Sequence, residues 1–340
     1  MKGILCQFGL AEENFQVKPF GSGLINSTWQ VADRAGIPKY ILQKINQDIF
    51  KQPGDIAFNI RLLDNYLKQS FPDYLFVSPF VTTTGDELVR IDNGFYRMFP
   101  FVDNSHTVDV VEKPQQAYEA ARQFGKFTRL LSGFDAGQLK ITLPDFHNLT
   151  LRYQQFELAL KAGNPERIGQ SKDLIASIKL NKRIVDKYET CKEQFTSRVT
   201  HHDTKISNVL FNAENNGLCV IDLDTVMPGY FISDVGDMMR TYLCPVSEEE
   251  KDFSKIIIRK EFYDAIKDGY LSEMGEALTE IEKQYFNYAG EFMIYMQALR
   301  FLTDHLNNDV YYGAKYEEHN FVRAGNQLAL LQQLQKFITG

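Results

Sequence analysis

No apolar run in the 340-residue chain approaches the roughly 18 residues of a membrane-spanning helix, so the sequence predicts no association with a membrane. The apolar stretch from Gly3 to Leu10 is broken by Gln7 and soon meets Glu12 and Glu13; it is too short for a secretory leader, and the expected compartment is the cytoplasm. Cysteine is scarce. Cys6, Cys191, Cys219 and Cys244 stand far apart with no C-x-x-C pair, which argues against a disulfide framework or a cysteine zinc site and leaves packing thiols. Positive charge is in deficit as well: 37 Lys and Arg against 44 Asp and Glu give a net charge of −7, the wrong sign for general affinity to nucleic acid or anionic lipid. A local basic pocket remains compatible with that balance. There is no internal repeat and no low-complexity tract. What is present, 44% hydrophobic and 24% charged residues over this length, describes a well-cored globular chain large enough for two lobes.

The pattern changes once along the chain. Phe15 to Phe20 and Ser27 to Ala32 carry β-branched and aromatic residues on either side of Gly21-Ser22-Gly23, and Tyr40 to Asn46 alternates after a turn. A helix follows Pro53-Gly54, with Asp55 as the expected N-cap and Ile56, Ile60, Leu63 and Leu67 on one face. Leu88 to Ile91 and Phe95 to Phe99 flank Asp92-Asn93-Gly94, whose Asn-Gly pair predicts a tight hairpin. After Val102 the polar run Asp103 to His106 reads as a connector. Beyond it apolar residues recur every three or four positions near 114–132, 148–162, 171–195, 248–270, 278–307 and 319–337. These signals predict an α+β chain with a β-rich N-lobe over 1–102 and a mainly helical C-lobe over 103–340. One β island interrupts the helices: Val209 to Phe211 and Leu218 to Ile221 flank Asn215-Asn216-Gly217, a second expected hairpin.

That hairpin lies in the most ionisable stretch of the sequence. His201-His202-Asp203-Thr204-Lys205-Ile206-Ser207-Asn208 leads into it and Asp222-Leu223-Asp224 leaves it, so Asp203, Asn208 and Asp222 are expected at one end of a rigid pair of strands. Phosphoryl transfer from ATP needs such a set: a carboxylate to orient and deprotonate an attacking hydroxyl, and amide and carboxylate oxygens to hold Mg²⁺ on the phosphates. Asp203 suits the first task and Asn208 with Asp222 the second, while His201 is expected to brace the loop. Gly21, Ser22 and Gly23, followed by Leu24, Ile25 and Asn26, would let backbone N–H groups approach phosphates, although G-x-G alone also describes a hairpin turn. Lys44, on the third strand, could reach the α and β phosphates or could equally be a solvated strand lysine.

These motifs resemble the aminoglycoside phosphotransferase and choline kinase superfamily, and within it the N-acetylhexosamine 1-kinases. The resemblance rests on the run from Thr200 to Arg240, with Asp234-Val235-Gly236-Asp237, and on Leu42 to Asn46, Tyr96 to Phe99 and Arg300 to Asp304; it spans nearly the whole chain. The absence of D-F-G and A-P-E sequences separates it from the protein kinases. The resemblance implies a two-lobed protein-kinase-like fold that uses ATP and Mg²⁺. It also implies Asp203 as catalytic base, Asn208 and Asp222 as metal ligands, Asp224 as holder of a second Mg²⁺ or orienter of the substrate, Lys44 as phosphate lysine, and Met98 to Val102, including Phe101, as the adenine-binding hinge. Lys205, two residues after Asp203, would steady the γ-phosphate or is equally an exposed lysine. Arg300 and Asp304, one helical turn apart, would read hydroxyls of a small-molecule sugar, whereas their spacing alone favours an i,i+4 ion pair; His147, Arg152, Asp234 and Arg240 fall in similar stretches that could equally brace the loop.

Two departures from the resemblance stand out. Leu24 occupies a position where a histidine is expected, and no Glu occurs between Asp55 and Gln69 to pair with Lys44, Phe58 standing near that turn. The expected reaction is transfer of the γ-phosphoryl group to a sugar hydroxyl, foremost the anomeric one of N-acetylglucosamine or N-acetylgalactosamine. The alternatives are a kinase of another alcohol, such as an aminoglycoside, choline or other sugar, and a nucleotide-binding regulator without turnover.

Overall fold

In the computed structural model, which describes residues 3–21 and 25–340, the first hundred residues form an antiparallel sheet. A short helix α1 (Ile4–Gln7) precedes β1 (Phe15–Pro19), β2 (Ser27–Asp33) and β3 (Pro38–Ile45); helix α2 (Pro53–Ser70) intervenes before β4 (Val89–Ile91) and β5 (Gly94–Pro100). The spatial order is β1-β2-β3-β5-β4, with Leu42 opposite Trp29 on one side and Met98 on the other. Period-two alternation gives the sheet two distinct faces. Val31, Leu42 and Met98 pack under Ile4 and Leu5 of α1 as a small outer core. Ile45 points the other way, into the main core.

The first hairpin is tight but shifted by one residue from expectation. Ile91 pairs with Gly94, so the turn residues are Asp92 (φ 48°) and Asn93 (φ 58°), and Gly94 already belongs to β5. Its glycine serves a close approach instead: a Cβ there would lie 2.9 Å from Cε of Lys44 and 2.9 Å from the Tyr96 ring. Helix α2 starts on Pro53 with Gln52 in the cap position, and Asp55 sits in the first turn, where a carboxylate favours the helix dipole. Its stripe of Ile56, Ile60, Leu63 and Leu67 joins the same core as the C-terminal helices, not the outer core of the sheet. Asn59 of α2 reinforces that attachment, donating to the carbonyls of Lys140 (2.9 Å) and Val226 (3.0 Å).

The rest of the chain is mainly helical, as the periodicity predicts. It comprises α3 (Pro114–Leu130), α4 (Leu149–Ala162), α5 (Pro165–Gln170), α6 (Lys172–Leu180), α7 (Arg183–Cys191), α8 (Phe231–Tyr242), α9 (Lys260–Met274), α10 (Glu280–Gln284), α11 (Phe286–Leu306) and α12 (His319–Thr339). The expected helix over 171–195 breaks at Asn181-Lys182 into α6 and α7, and residues before Lys260 form no long helix. Two small antiparallel ribbons lie among the helices: β6 (Arg198–Thr200) with β9 (Met227–Gly229), and β7 (Val209–Phe211) with β8 (Gly217–Val220), the latter being the second expected hairpin. α8 has ten of its twelve residues buried, Ser233, Asp234 and Asp237 included. It packs on α11 closely enough that any Cβ on Gly236 would collide with the carbonyl of Ala289. Among the described residues no helix is long and apolar enough to cross a membrane, and all four cysteines are free.

Candidate active site

The segment between β6 and β7 is held from behind by α8. Both carboxylate oxygens of Asp234 accept backbone N–H groups, from His202 (2.7 Å) and His201 (3.1 Å). One turn further on, Asp237 accepts the N–H of Thr204 (2.9 Å) and binds the guanidinium of Arg240 through its other oxygen. A segment that cannot pair its amides in a strand thereby has them satisfied by side chains. Burial pushes the Asp234 carboxyl up to about 7, even though the two amides favour its charge. His201 donates to the carbonyl of Ile221 through Nε2 (3.0 Å), with Phe124 and Phe127 edge-on to its ring, so it ties the loop to the hairpin as expected.

Asp203 is therefore presented on a fixed backbone. Its carboxylate lies 3.1 Å from Nζ of Lys205, and its carbonyl accepts from Nδ2 of Asn208 (2.9 Å). Burial opposes ionisation of Asp203, but the Lys205 charge and further hydrogen bonds outweigh it and hold the carboxyl below its ordinary value. Asp222, at the end of β8, adopts a left-handed conformation (φ 59°, ψ 62°), while the N–H of the preceding Ile221 binds the carbonyl of Asn208 at 2.9 Å. Burial first, then the neighbouring carboxylates of Asp224 and Asp203, push its carboxyl up to about 7. Among the described residues no side chain donates to Asp222, and no group of three His, Cys, Asp or Glu converges as a metal-ligand set. A buried carboxylate crowded by its own kind fits a divalent cation. Asp222 and the free amide oxygen of Asn208 are the residues that would hold a Mg²⁺ whose shell phosphates complete.

Asp224 does not fit that role. It forms an ion pair with Nη2 of Arg97 (2.6 Å) and accepts from Nδ2 of Asn26 (2.8 Å), so both its oxygens face the N-terminal sheet. Arg97 is only 2% exposed and donates from Nε and Nη2 to Gln43 Oε1 (3.1 and 2.9 Å); its Nη1 is buried without a partner. Asn26 also accepts the N–H of Asn46 (3.0 Å) and thus fastens the return of the glycine loop to the end of β3. The odd-numbered residues of β3 and β5, Gln43 and Arg97, consequently face Asp224. Lys44 lies on the other face, with its ammonium 5.9 Å from the centre of the Tyr96 ring. The reading of Lys44 as the phosphate lysine fails on this alternation, and the missing helix Glu has no lysine to serve.

Met98 is likewise turned into the outer core, with its carbonyl accepting the N–H of Phe80 (2.7 Å). Phe101 sits edge-on to Phe20 with ring centres 6.4 Å apart, beside Gly21, whose φ of 78° suits glycine. Ser22, Gly23 and Leu24 lie outside the described residues.

A cleft of about 410 Å³ opens between α4 and α11, lined by Arg152, Gln155, Arg300, Thr303, Tyr311 and Tyr312 among others. It adjoins the loop through packed rings: the Arg300 guanidinium lies 5.7 Å from the Phe146 ring, which stacks on His147 at 4.3 Å. His147 and His202 both bond the hydroxyl of Ser233, and burial lowers the basicity of both, His202 to about 4. Asp304 and Arg300 do not work as a pair. Asp304 accepts the N–H groups of Tyr311 (2.7 Å) and Tyr312 (2.8 Å) and the amide of Asn320 (3.1 Å), which makes it the anchor of the loop after α11.

A β-rich lobe, a helical lobe and an Asp-bearing loop backed by a metal-suited hairpin define a two-lobed, kinase-like phosphotransferase. Residues 16–281 match the phosphotransferase enzyme family APH, and the chain belongs to that family. Among solved structures it is similar to an aminoglycoside phosphotransferase from Alicyclobacillus acidocaldarius (13% identity, TM-score 0.65, covering 100% of this chain and 96% of that one). It is similar also to a microcompartment-associated aminopropanol kinase (14%, TM-score 0.63, covering 98% and 95%). A third neighbour is a choline kinase from Cryptosporidium parvum (12%, TM-score 0.60, covering 97% and 91%).

Proposed function

We propose that the chain is an ATP- and Mg²⁺-dependent small-molecule kinase that phosphorylates a sugar, foremost the anomeric hydroxyl of an N-acetylhexosamine. The observation that carries the kinase reading is the ionised Asp203, 3.1 Å from Lys205, beside the Asn208–Asp222 pair. Asp203 accepts the proton of the attacking hydroxyl; the hydroxyl oxygen bonds to the γ-phosphorus, the bond from that phosphorus to the β,γ-bridging oxygen breaks, and ADP leaves. Lys205 meets the negative charge on the transferred group. Mg²⁺ held by Asn208 and Asp222 would neutralise the phosphates. In this reading residues 1–102 form the nucleotide lobe and 103–340 the catalytic lobe. Gly21 and Phe101 border the nucleotide, and Arg97, buried against Asp224, holds the sheet to the catalytic segment.

The sugar specificity rests on the resemblance of Arg300 and its surroundings to the N-acetylhexosamine 1-kinases. Amine-bearing acceptors such as an aminoglycoside or choline call for free carboxylates. The one acid among the residues lining the cleft, Asp304, has its oxygens engaged by backbone. ADP release from Mg-ATP is the test, across N-acetylglucosamine, N-acetylgalactosamine, simple hexoses, choline and kanamycin, with Asp203→Asn as control. Turnover confined to choline or kanamycin would overturn the sugar reading, and Mg-ATP binding without any turnover would favour a regulator.

A further inference from the structure

The cleft between α4 and α11 holds two arginines and no free acid. Arg152 extends from α4 and Arg300 from α11, and among the described residues neither forms an ion pair. Their hydrogen bonds go to neutral groups: Arg152 to the carbonyl of Asp145 (2.8 Å) and to Gln155 (3.0 Å), Arg300 to Gln297 (3.4 Å) and the Tyr311 hydroxyl (3.3 Å). Three aromatic rings, of Phe146, Tyr311 and Tyr312, lie within 5.7 Å of the Arg300 guanidinium. The cations are close enough to disfavour each other, since burial and then the charge of Arg300 lower the basicity of Arg152. Nε of Arg152 on α4 and Oγ1 of Thr303 on α11, both lining residues, are buried without partners.

Other arginines of the interior are neutralised by acids or ringed by carbonyls: Arg97 has Asp224, Arg198 has Glu282, Arg240 has Asp237 and Glu248, and Arg259 has the carbonyls of Val111, Tyr242, Leu243 and Cys244. Two facing guanidinium groups left without an acid keep a standing repulsion that an anionic oxygen group between them would reverse. Guanidinium forks match carboxylate and phosphate oxygens two at a time. The volume, about 410 Å³, is in the range of small-molecule sites and admits a monosaccharide, with the tyrosine rings available to its apolar face.

We propose that this cleft receives an anionic substituent of the acceptor, so that the preferred substrate is an acidic sugar, one bearing a carboxylate or a phosphate, whose hydroxyl is presented to Asp203. The inference rests on the sugar-kinase reading above and adds the charge of the acceptor to it. A neutral sugar fills the same space but leaves the arginines facing each other.

The test compares sugars that differ in charge and little else. ADP release is measured with D-glucuronic acid against D-glucuronamide, and with N-acetylglucosamine 6-phosphate against N-acetylglucosamine; binding of each to the full chain is measured by calorimetry without nucleotide. The expected result is at least a tenfold higher kcat/KM, and a tenfold lower dissociation constant, for the acid of one pair, which also tells carboxylate from phosphate. That ratio should drop toward one in Arg152→Gln and be partly kept in Arg152→Lys, and it should fall with added salt. Equal or better use of the neutral member in both pairs overturns the inference and leaves the sugar kinase standing. No turnover with any sugar strikes the kinase reading instead, and the calorimetric ratio then decides on the anion site by itself.

Discussion

At the scale of single residues, the proposed roles separate by what each carboxylate already holds. Asp203 is ionised, braced and paired with one lysine, so Asp203→Asn should keep Mg-ATP affinity and lose about 10²–10⁴ in kcat, as read by steady-state kinetics beside nucleotide binding. Asp222 is the opposite case. With its folded pKa raised to about 7 from an ordinary value near 3.8, the folded protein holds a proton there that the unfolded chain has lost. Its contribution to stability therefore falls as pH rises from about 4 to 7 and stays low above. Asp222→Asn lacks that loss: in EDTA its melting temperature should exceed the parent's at pH 8, by an amount equivalent to about 1–3 kcal/mol, with the gain gone near pH 4. The sequence displayed Asp203, Asn208 and Asp222 through their spacing. It did not display that Asp224, only two residues from Asp222, turns to a different partner, because a left-handed residue at Asp222 redirects the chain there.

Among the elements, the sheet and the hairpins were legible because alternation and turn chemistry are local. Which face of β3 meets the cleft was not. Lys44 and Gln43 are neighbours in a strand, and only the pairing with β5, together with the packing of α1 on the outer face, decides between them. Lys44→Met should accordingly leave the KM for ATP within about twofold, whereas Arg97→Met, which releases Asp224 and through it Asn26 at the return of the glycine loop, should raise it roughly tenfold, both by initial rates. α8 escaped the sequence reading for a different reason: Ser233, Asp234, Asp237, Arg240 and Thr241 do recur at helical spacing, but most of that polar stripe is buried, and its Asp234 and Asp237 serve a loop some thirty residues earlier. Since Gly236 sets how closely α8 approaches α11, Gly236→Ala should displace both carboxylates. The expected outcome is a loss of kcat larger than any change in the KM for ATP, together with a lower melting temperature.

For the whole molecule, the ion pair of Arg97 and Asp224 joins the sheet to the catalytic segment through two buried charges, with Gln43 and Asn26 as its neighbours. Removing one member leaves the other buried and uncompensated, so Arg97→Met or Asp224→Leu alone should cost about 3–5 kcal/mol by denaturant unfolding. The double variant should recover most of that while nucleotide affinity stays impaired. The attachment of α2 to the main core bears on a different property, the size of the unit that opens cooperatively. Although α2 lies between β3 and β4 in the chain, Ile56, Ile60, Leu63 and Leu67 share their protection with the helices of the C-terminal part. Amide exchange should then show two opening events that do not follow chain order: the strands exchanging together at lower free energy, and α2, eighteen residues from the middle of that same stretch, exchanging late with α3 and α11.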